Sequence, residues 1–252
     1  MARTNAGRRR SVQNHTYALS FPATGTSTMN IGNDVYLYER TQAWTIGFQI
    51  QPVDYQTGSG RHIFSEYESS SPFRGRLIRI DTSLLRFWLV NTFSSNELKV
   101  NYRPPARNAF TQVIMAYDGS STAAGVQCWF NVILQTQVSA TETLSGTIVA
   151  TGVATKWGGW TGAAVLWKGL LGECFIDARQ WTQAAVDSYF YDRRFSLGTP
   201  TDLWSMTEGS GGVAASTGTG VHNGTVAANV TWSSVTPTKP RSAIAQNRLP
   251  VS

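Results

Sequence analysis

Two carboxylates, Glu173 and Asp177, lie four positions apart in the apolar segment GLLGECFID. Alternate side chains of a strand share one face, so both carboxylates would lie on the same side. Glycoside hydrolysis uses such a pair, and a retaining enzyme holds the two groups about 5 Å apart. The spacing here puts their Cα atoms about 13 Å apart. The pair therefore predicts no glycosidase, and we expect Glu173 to pair with Arg179 or to bind local backbone.

The remaining chemistry-bearing residues form no recognisable catalytic or metal-binding pattern. His15, His62 and His222 are scattered and lack the H-x₃-H or H-E-x-x-H spacing of a zinc site. The glycine-rich segments 209–212 and 218–220 lack the Lys and the following Ser or Thr of a phosphate-binding loop, so they indicate turns. We therefore expect a non-enzymatic protein without a cofactor.

Aromatic side chains in loop-like surroundings are the candidates for a binding site. Sugar sites combine exposed aromatic planes with a few amide or carboxylate partners. The candidates are Trp157 and Trp160 in the motif KWGGW, together with Tyr55, Tyr67 and Phe73. The alternative for each is packing in the core or at a subunit contact, because large aromatic residues carry much of a core.

A strand followed by one short helix must position the carboxylate segment. Leu170, Leu171, Cys174 and Ile176 have the composition of a half-buried strand. Thr182 then stands where the N-cap of a helix belongs, and the apolar residues after it predict a short helix over 182–191.

The rest of the chain has the pattern of an all-β protein. Alternating runs separated by Gly, Ser, Thr and Asn clusters are typical of strands, and they occur at Trp44–Ile50, Leu85–Val90, Val113–Tyr117 and Val126–Leu134. Such a chain folds as a sandwich, a barrel or a propeller. No internal repeat of propeller period is present, so a two-sheet sandwich is favoured.

The order of these segments resembles the concanavalin A-like lectin and glucanase superfamily, which includes the laminin-G-like domains. The segment 169–190 is similar to its final strand and short helix, in which the form G-x-(I/L)-G-E precedes an alternating strand. Five more pieces resemble its strands in the same order: Tyr17–Phe21 with Met29–Gly32, WTIGFQIQP from Trp44, the hairpin Arg76–Asn91, the hairpin Phe110–Val132, and the closing unit Leu203–Val226 with Trp232.

The resemblance spans Tyr17 to Ser234 and implies an antiparallel, jelly-roll β-sandwich. The glucanases of the superfamily carry a signature similar to E-x-D-x-(x)-E, and here Glu173 and Asp177 have no third acid. Calcium assists many members and needs clustered oxygen ligands, for which the candidates are Asp34, Asp54, Asp81 and Asp118.

Cys128 and Cys174 both lie in apolar strand patterns. This placement favours two buried free thiols, with a single disulfide as the alternative. Met1 is followed by polar and basic residues without the apolar run of a secretion signal, so we expect the chain to be made and kept in a cytosol-like compartment.

The net charge of +6 lies in the two ends of the chain. Residues 1–13 and 237–252 contain no acid, and their basic residues are Arg3, Arg8, Arg9, Arg10, Lys239, Arg241 and Arg248. The remaining chain holds 14 basic and 15 acidic residues, which argues against a broad nucleic-acid-binding face. We expect a basic arm (1–13), a sandwich (14–236) and a Pro-containing tail (237–252), the two ends being either solvated or docked on a neighbour.

Together these features predict a virion component assembled in the host cytoplasm, such as a phage capsid decoration protein or a head or tail fibre component. Its arms would dock on other virion proteins, in a homo-oligomer or larger assembly, and its sandwich would bind host-surface glycans. One alternative is a jelly-roll coat protein whose arm contacts the genome. The other is a free glycan-binding module.

Overall fold

The computed structural model describes residues 17–55, 60–160, 165–192 and 195–234 of the 252-residue chain, and within them two antiparallel β-sheets pack face to face. The predicted all-β sandwich with one short helix is confirmed. The strands are β1 Ala18–Pro22, β2 Met29–Asn33, β3 Trp44–Pro52, β4 Arg61–Tyr67, β5 Gly75–Ile80, β6 Leu85–Thr92, β7 Asn96–Tyr102, β8 Thr111–Tyr117, β9 Val126–Phe130, β10 Ile133–Leu134, β11 Ser139–Glu142, β12 Ala154–Trp157, β13 Lys168–Asp177, β14 Asp202–Trp204, β15 Val213–Ala214, β16 Gly224–Val226 and β17 Thr231–Ser233.

The eight-stranded sheet has the order β10-β9-β8-β3-β13-β1-β17. β1 pairs with the first half of β13, and β14 pairs with the second half. The nine-stranded sheet has the order β11-β7-β6-β5-β4-β12-β2-β16-β15. The main core lies between them, where period-two alternation turns apolar side chains such as Phe48, Ile78 and Phe87 inward. Trp44 stacks on Phe87 across this core, with ring centroids 5.3 Å apart.

Strand β13 is buried on both faces, which corrects the expectation of a half-buried strand. Leu171, Cys174 and Ile176 belong to the main core, while Phe175 lies on the opposite face under the helix. A register shift between Leu171 and Cys174 adds one residue to β13 relative to β3. Because both faces are covered, apolar residues occur at consecutive positions of this strand, as at Cys174, Phe175 and Ile176.

The helix α1, Gln183–Asp187, continues into a π-helical turn at Ser188–Asp192, so the predicted helical segment is confirmed. Thr182 occupies the N-cap position, but its hydroxyl makes no capping hydrogen bond. The helix is held instead by packing, because Trp181 stacks on Phe175 with ring centroids 4.5 Å apart. It covers the outer face of the eight-stranded sheet.

Strands β1 and β2, which the resemblance suggested as a pair, lie in different sheets. β1 pairs with β13 and β17, whereas β2 pairs with β12 and β16. Cys128 and Cys174 are both buried and free, as the sequence favoured. Strands β8 and β3 separate them, which amounts to about 14 Å at the usual strand spacing, too far for a disulfide.

The proposed arm (1–13) and tail (237–252) lie outside the described residues. No helix among the residues that the structure describes is long and apolar enough to span a membrane.

Candidate binding site

A second apolar cluster lies on the outer face of the nine-stranded sheet. On β5, Ile78 points into the core and Leu77 lies outside; on β6, Phe87 points into the core and Trp88 lies outside. Leu77 and Trp88 are directly paired across the two strands, so their side chains are neighbours on this face. No helix covers this cluster among the described elements, in contrast to the outer face of the other sheet.

This cluster borders a cavity of about 210 Å³, which we call the outer-face cavity. Nine of the described residues line it: His62, Tyr67, Phe73, Leu77, Arg79, Trp88, Phe93, Trp160 and Val165. Its volume lies below the roughly 300–1,000 Å³ of pockets that hold drug-sized ligands. A single sugar ring or one side chain is therefore the size of occupant that fits.

Two consecutive glycines in KWGGW place Trp160 at the cavity. Gly158 has φ +85°, and a Cβ there would lie 2.2 Å from the ring of Phe21. Only glycine fits that conformation and that contact, so the chain turns sharply out of β12. Trp160 then crosses to the outer face, where its indole N–H donates to the carbonyl of Tyr67 at 3.0 Å.

The β4–β5 and β6–β7 hairpin loops lie beside the cavity and contact each other. Phe73 adopts a left-handed φ of +60°, and its N–H donates to the Ser70 carbonyl at 2.8 Å. The N–H of Phe93, at the tip of the β6–β7 hairpin, donates to the Pro72 carbonyl at 3.1 Å. The rings of Phe73 and Phe93 meet edge to face, 6.0 Å apart. Left-handed backbone is costly for a bulky residue, so this loop is held in place by its contacts.

Two basic side chains, those of His62 and Arg79, line the mostly apolar cavity. His62 is 4% exposed, and its Nδ1 has no hydrogen-bond partner among the described residues. Burial, and secondarily the charge of Arg79, lowers the pKa of His62 to about 3, so the imidazole is neutral at neutral pH. The guanidinium carbon of Arg79 lies 4.9 Å from the centre of the Trp88 ring. The cavity therefore offers a neutral imidazole and a fixed cation.

Three of the five aromatic candidates from the sequence meet at this cavity. Tyr67 and Trp160 are 5.6 Å apart between ring centroids, and Tyr67 and Phe73 are stacked at 6.2 Å. The structure corrects the expectation for Trp157, which is fully buried against Phe64 and has no face to offer a ligand.

Tyr55 lies apart from the cavity. Its hydroxyl donates to the Pro105 carbonyl, and its ring lies 5.1 Å from the guanidinium carbon of Arg107. It packs against the main core rather than against the outer cluster. We therefore leave Tyr55 out of the proposed site.

Sequence reasoning missed six lining residues: His62, Leu77, Arg79, Trp88, Phe93 and Val165. One of these residues could have been predicted from the alternation of β6. Trp88 lies on the same face of the strand as the polar Arg86, and the core residues Phe87 and Leu89 lie on the opposite face. A large aromatic residue on the face of a strand that otherwise carries polar residues indicates an apolar patch on the outside of the sheet.

The carboxylates of β13 are engaged under the helix. Asp177 is 2% exposed, pairs with Arg179 at 2.8 Å and accepts the indole N–H of Trp181 at 2.8 Å. Glu173 accepts a hydrogen bond from the hydroxyl of Tyr189. The expected partner of Glu173, Arg179, thus binds Asp177 instead. Both carboxylates stabilise the covered face of the strand.

Asp202 and His222, distant in sequence, form a partly buried contact in the structure. Asp202 accepts hydrogen bonds from the Tyr36 hydroxyl at 2.5 Å and the Ser216 hydroxyl at 2.6 Å, and it lies 2.7 Å from His222 Nδ1. A nucleophilic hydroxyl would have to bind the histidine rather than the aspartate. The arrangement is a structural network joining the loop before β3 to the closing segment.

The four aspartates considered for calcium are occupied by separate partners. Asp54 pairs with Arg61 at 3.1 Å and Asp81 with Arg86 at 2.8 Å. Asp34 and Asp118 accept backbone N–H groups of their own loops or neighbours. In the described part of the chain, no group of three or more His, Cys, Asp or Glu side chains is arranged to hold a metal ion.

The sequence matches no protein-family model and no curated protein. Its fold is similar to that of solved structures. A protein from Bacteroides ovatus assigned as carbohydrate binding has a TM-score of 0.57 and 13% identity, over 86% of this chain and 59% of that one. The binding domain of Paraclostridial Mosquitocidal Protein 1 has a TM-score of 0.51 and 11% identity, over 69% and 43%. A heptameric SAP-like pentraxin from Limulus polyphemus has a TM-score of 0.47 and 16% identity, over 71% and 84%.

These similarities concern the fold. All three identities lie at or below 16%, and the chain spans 59% and 43% of the lengths of the first two proteins. The architecture shared with the first two proteins agrees with the two-sheet sandwich that the sequence resemblance implied. What the site of this chain binds must be argued from its own residues.

Proposed function

We propose that this protein is a non-enzymatic glycan-binding module and that the outer-face cavity is its site. The observation that carries the proposal is the convergence of five aromatic rings with His62 and Arg79 around one cavity of about 210 Å³. A sugar ring has an apolar C–H face that packs on aromatic rings and hydroxyls that need polar partners. Concave sites that are mostly apolar with a few convergent polar groups are the usual form of a small-ligand site.

The fold similarity supports the proposal at a coarse level. The Bacteroides ovatus protein, with a TM-score of 0.57, is assigned as carbohydrate binding. In a β-sandwich the loops and the outer faces of the sheets are accessible to ligands, so a ligand can bind there without a change in the core. The cavity walls come from strands and hairpin ends of one sheet, so the rings are held before any ligand arrives.

The test is a screen of immobilised glycans followed by calorimetric titration of the glycans that bind. Trp160→Ala and Phe93→Ala each remove a wall of the cavity and are expected to weaken binding at least about tenfold, or about 1.4 kcal/mol. Tyr191→Ala is the matched control, because Tyr191 is 49% exposed and Phe93 45% exposed, and Tyr191 does not line the cavity. Equal effects of the Phe93 and Tyr191 variants, or the absence of any bound glycan, would contradict the proposal.

A role in a virion is the second candidate, because seven basic residues and no acids lie in residues 1–13 and 237–252. Docking of these segments on other virion proteins is expected to require their charge. Sedimentation of the full chain and of a chain lacking residues 1–13 tests this, since loss of assembly on deletion is the expected result. Steeply salt-dependent binding of nucleic acid that disappears on deletion would favour the coat-protein alternative instead.

A further inference from the structure

The outer face around the cavity carries an excess of positive charge. Strand register places Arg79, Arg86, Lys99 and Lys156 on the outer positions of β5, β6, β7 and β12. The one carboxylate at the outer positions of β4–β7 and β12 in the described chain is Glu97.

Each of the two nearby carboxylates forms an ion pair with a cation other than Arg79. Glu97 binds Lys99 at 3.0 Å and accepts the Trp88 indole N–H at 3.1 Å. Asp81, in the turn after β5, binds Arg86 at 2.8 Å. Neither acid lines the cavity, whereas Arg79 does.

The loop beside the cavity adds no net charge. Glu68 accepts the backbone N–H of Arg74 at 2.9 Å, and these two residues carry opposite charges. The outer strand positions and this loop together therefore hold more basic than acidic residues, and Arg79 is the charged residue among them that lines the cavity. A site with this balance attracts an anionic ligand and disfavours a cationic one.

Arg79 is positioned to bind a carboxylate of a ligand. Its guanidinium is fixed over Trp88, is half-buried, and stays protonated at neutral pH. A planar guanidinium presents paired N–H donors that match the two oxygens of a carboxylate. Fixing the cation by stacking reduces the conformational entropy lost when a ligand binds.

We propose that the ligand is an acidic sugar whose ring packs on Trp160 and Phe73 and whose carboxylate binds Arg79. The inference rests on the proposed glycan-binding function and narrows its ligand to sugars that carry a carboxylate, such as uronic and sialic acids. The unpartnered Nδ1 of His62 is the acceptor for one sugar hydroxyl. The cavity has room for one such ring, so the other rings of a longer glycan would lie outside it.

Matched ligand pairs test the charge of the ligand without changing its shape. The first pair is trigalacturonate and its methyl ester, and the second is 3′-sialyllactose and its methyl ester. Calorimetric titration is expected to give at least about tenfold tighter binding of the acidic member of one pair, about 1.4 kcal/mol, with a smaller preference at high salt. The pair that shows the preference distinguishes a uronic from a sialic acid.

Three variants locate the preference at Arg79. Arg79→Gln is expected to bring the two members of the pair within about twofold, and Arg79→Lys, which keeps the charge, to retain most of the preference. Arg107→Gln, which removes an exposed cation that does not line the cavity, is expected to leave the preference unchanged. Thermal unfolding of each variant shows whether it is folded.

The outcomes separate this inference from the proposed function. Equal binding of acidic and neutral members by the unaltered protein, still weakened by Trp160→Ala, overturns the inference and leaves the glycan site standing. A preference that survives in Arg79→Gln, or that disappears in Arg107→Gln, also overturns it. Failure of every glycan to bind overturns both.

Discussion

Trp157 and Trp160 lie three positions apart on opposite faces of the nine-stranded sheet. The ring of Trp157 is fully buried between the sheets, 5.2 Å from the ring of Phe64, whereas Trp160 borders the outer-face cavity. Gly158, which lies between them in a left-handed conformation, turns the chain from the inner to the outer face of the sheet. One short motif thus supplies both a core residue and a site residue.

Replacing each tryptophan with alanine is expected to separate stability from binding. Trp157→Ala should lower the free energy of unfolding by about 3–5 kcal/mol, because it leaves a cavity in the core. Trp160→Ala should cost less, since its ring is only half-buried, and it should weaken glycan binding at least about tenfold. Urea denaturation and calorimetric titration of both variants measure the two effects. A Trp160 variant that binds normally would place the site elsewhere.

The left-handed conformation of Phe73 predicts an inverted order of stability for two substitutions. Glycine accepts φ +60° without strain and alanine does not, so Phe73→Gly should be more stable than Phe73→Ala by about 1 kcal/mol. At ordinary positions in a regular element alanine is the more stable of the two. Both variants should lose binding because both lack the ring. Chemical denaturation that finds the alanine variant the more stable would contradict the left-handed conformation of Phe73.

Buried His62 predicts a loss of stability on acidification. The pKa of His62 is about 3 in the folded protein and about 6.5 in an ordinary histidine, so the unfolded chain binds more protons between these values. Stability is therefore full above about pH 6.5 and falls as the pH is lowered, by roughly 1.4 kcal/mol for each unit well below 6.5.

His62→Gln isolates this contribution, because the other histidines are retained in the variant. Urea denaturation of both proteins between about pH 7 and 5, above the usual range of carboxylate titration, should show a steeper decline in the unaltered protein. Parallel pH profiles of the two proteins would mean that His62 is not buried as described.

The buried ion pair of Arg76 and Glu66 predicts a large cost for removing one partner. Arg76 Nη2 lies 2.6 Å from Glu66 Oε2, and the two side chains are 3% and 2% exposed. Arg76→Met leaves a buried carboxylate without its cation and should cost about 3–5 kcal/mol. Adding Glu66→Gln should recover part of this loss.

Arg86→Met is the matched control for that pair. Arg86 is 20% exposed and binds Asp81 at 2.8 Å, so its loss should cost about 1 kcal/mol or less. Denaturation of the two single variants and the double variant measures the coupling. Equal costs for the Arg76 and Arg86 variants would argue against a buried pair.

The local residue pattern was sufficient to predict the strands, the short helix and the two-sheet architecture. The alternation of Trp44–Ile50 and Leu85–Val90, and the Gly-bounded run before Thr182, predicted strands and a helix that the structure contains. Period-two alternation and turn composition reflect forces within a few residues, which a sequence displays directly. Two thiols in apolar strands were likewise foreseen as buried and free.

The sequence by itself determined the all-β class, the short helix, the aromatic candidates and the charge of the two terminal segments. Tertiary structure decided which aromatic rings meet. Pairing of β4, β5 and β6 brings Tyr67, Leu77 and Trp88 to one outer face, and the bend at Gly158 sends Trp157 inward and Trp160 outward. Strand register is a long-range property, because it depends on which segments pair, and a shift of one residue exchanges the two faces.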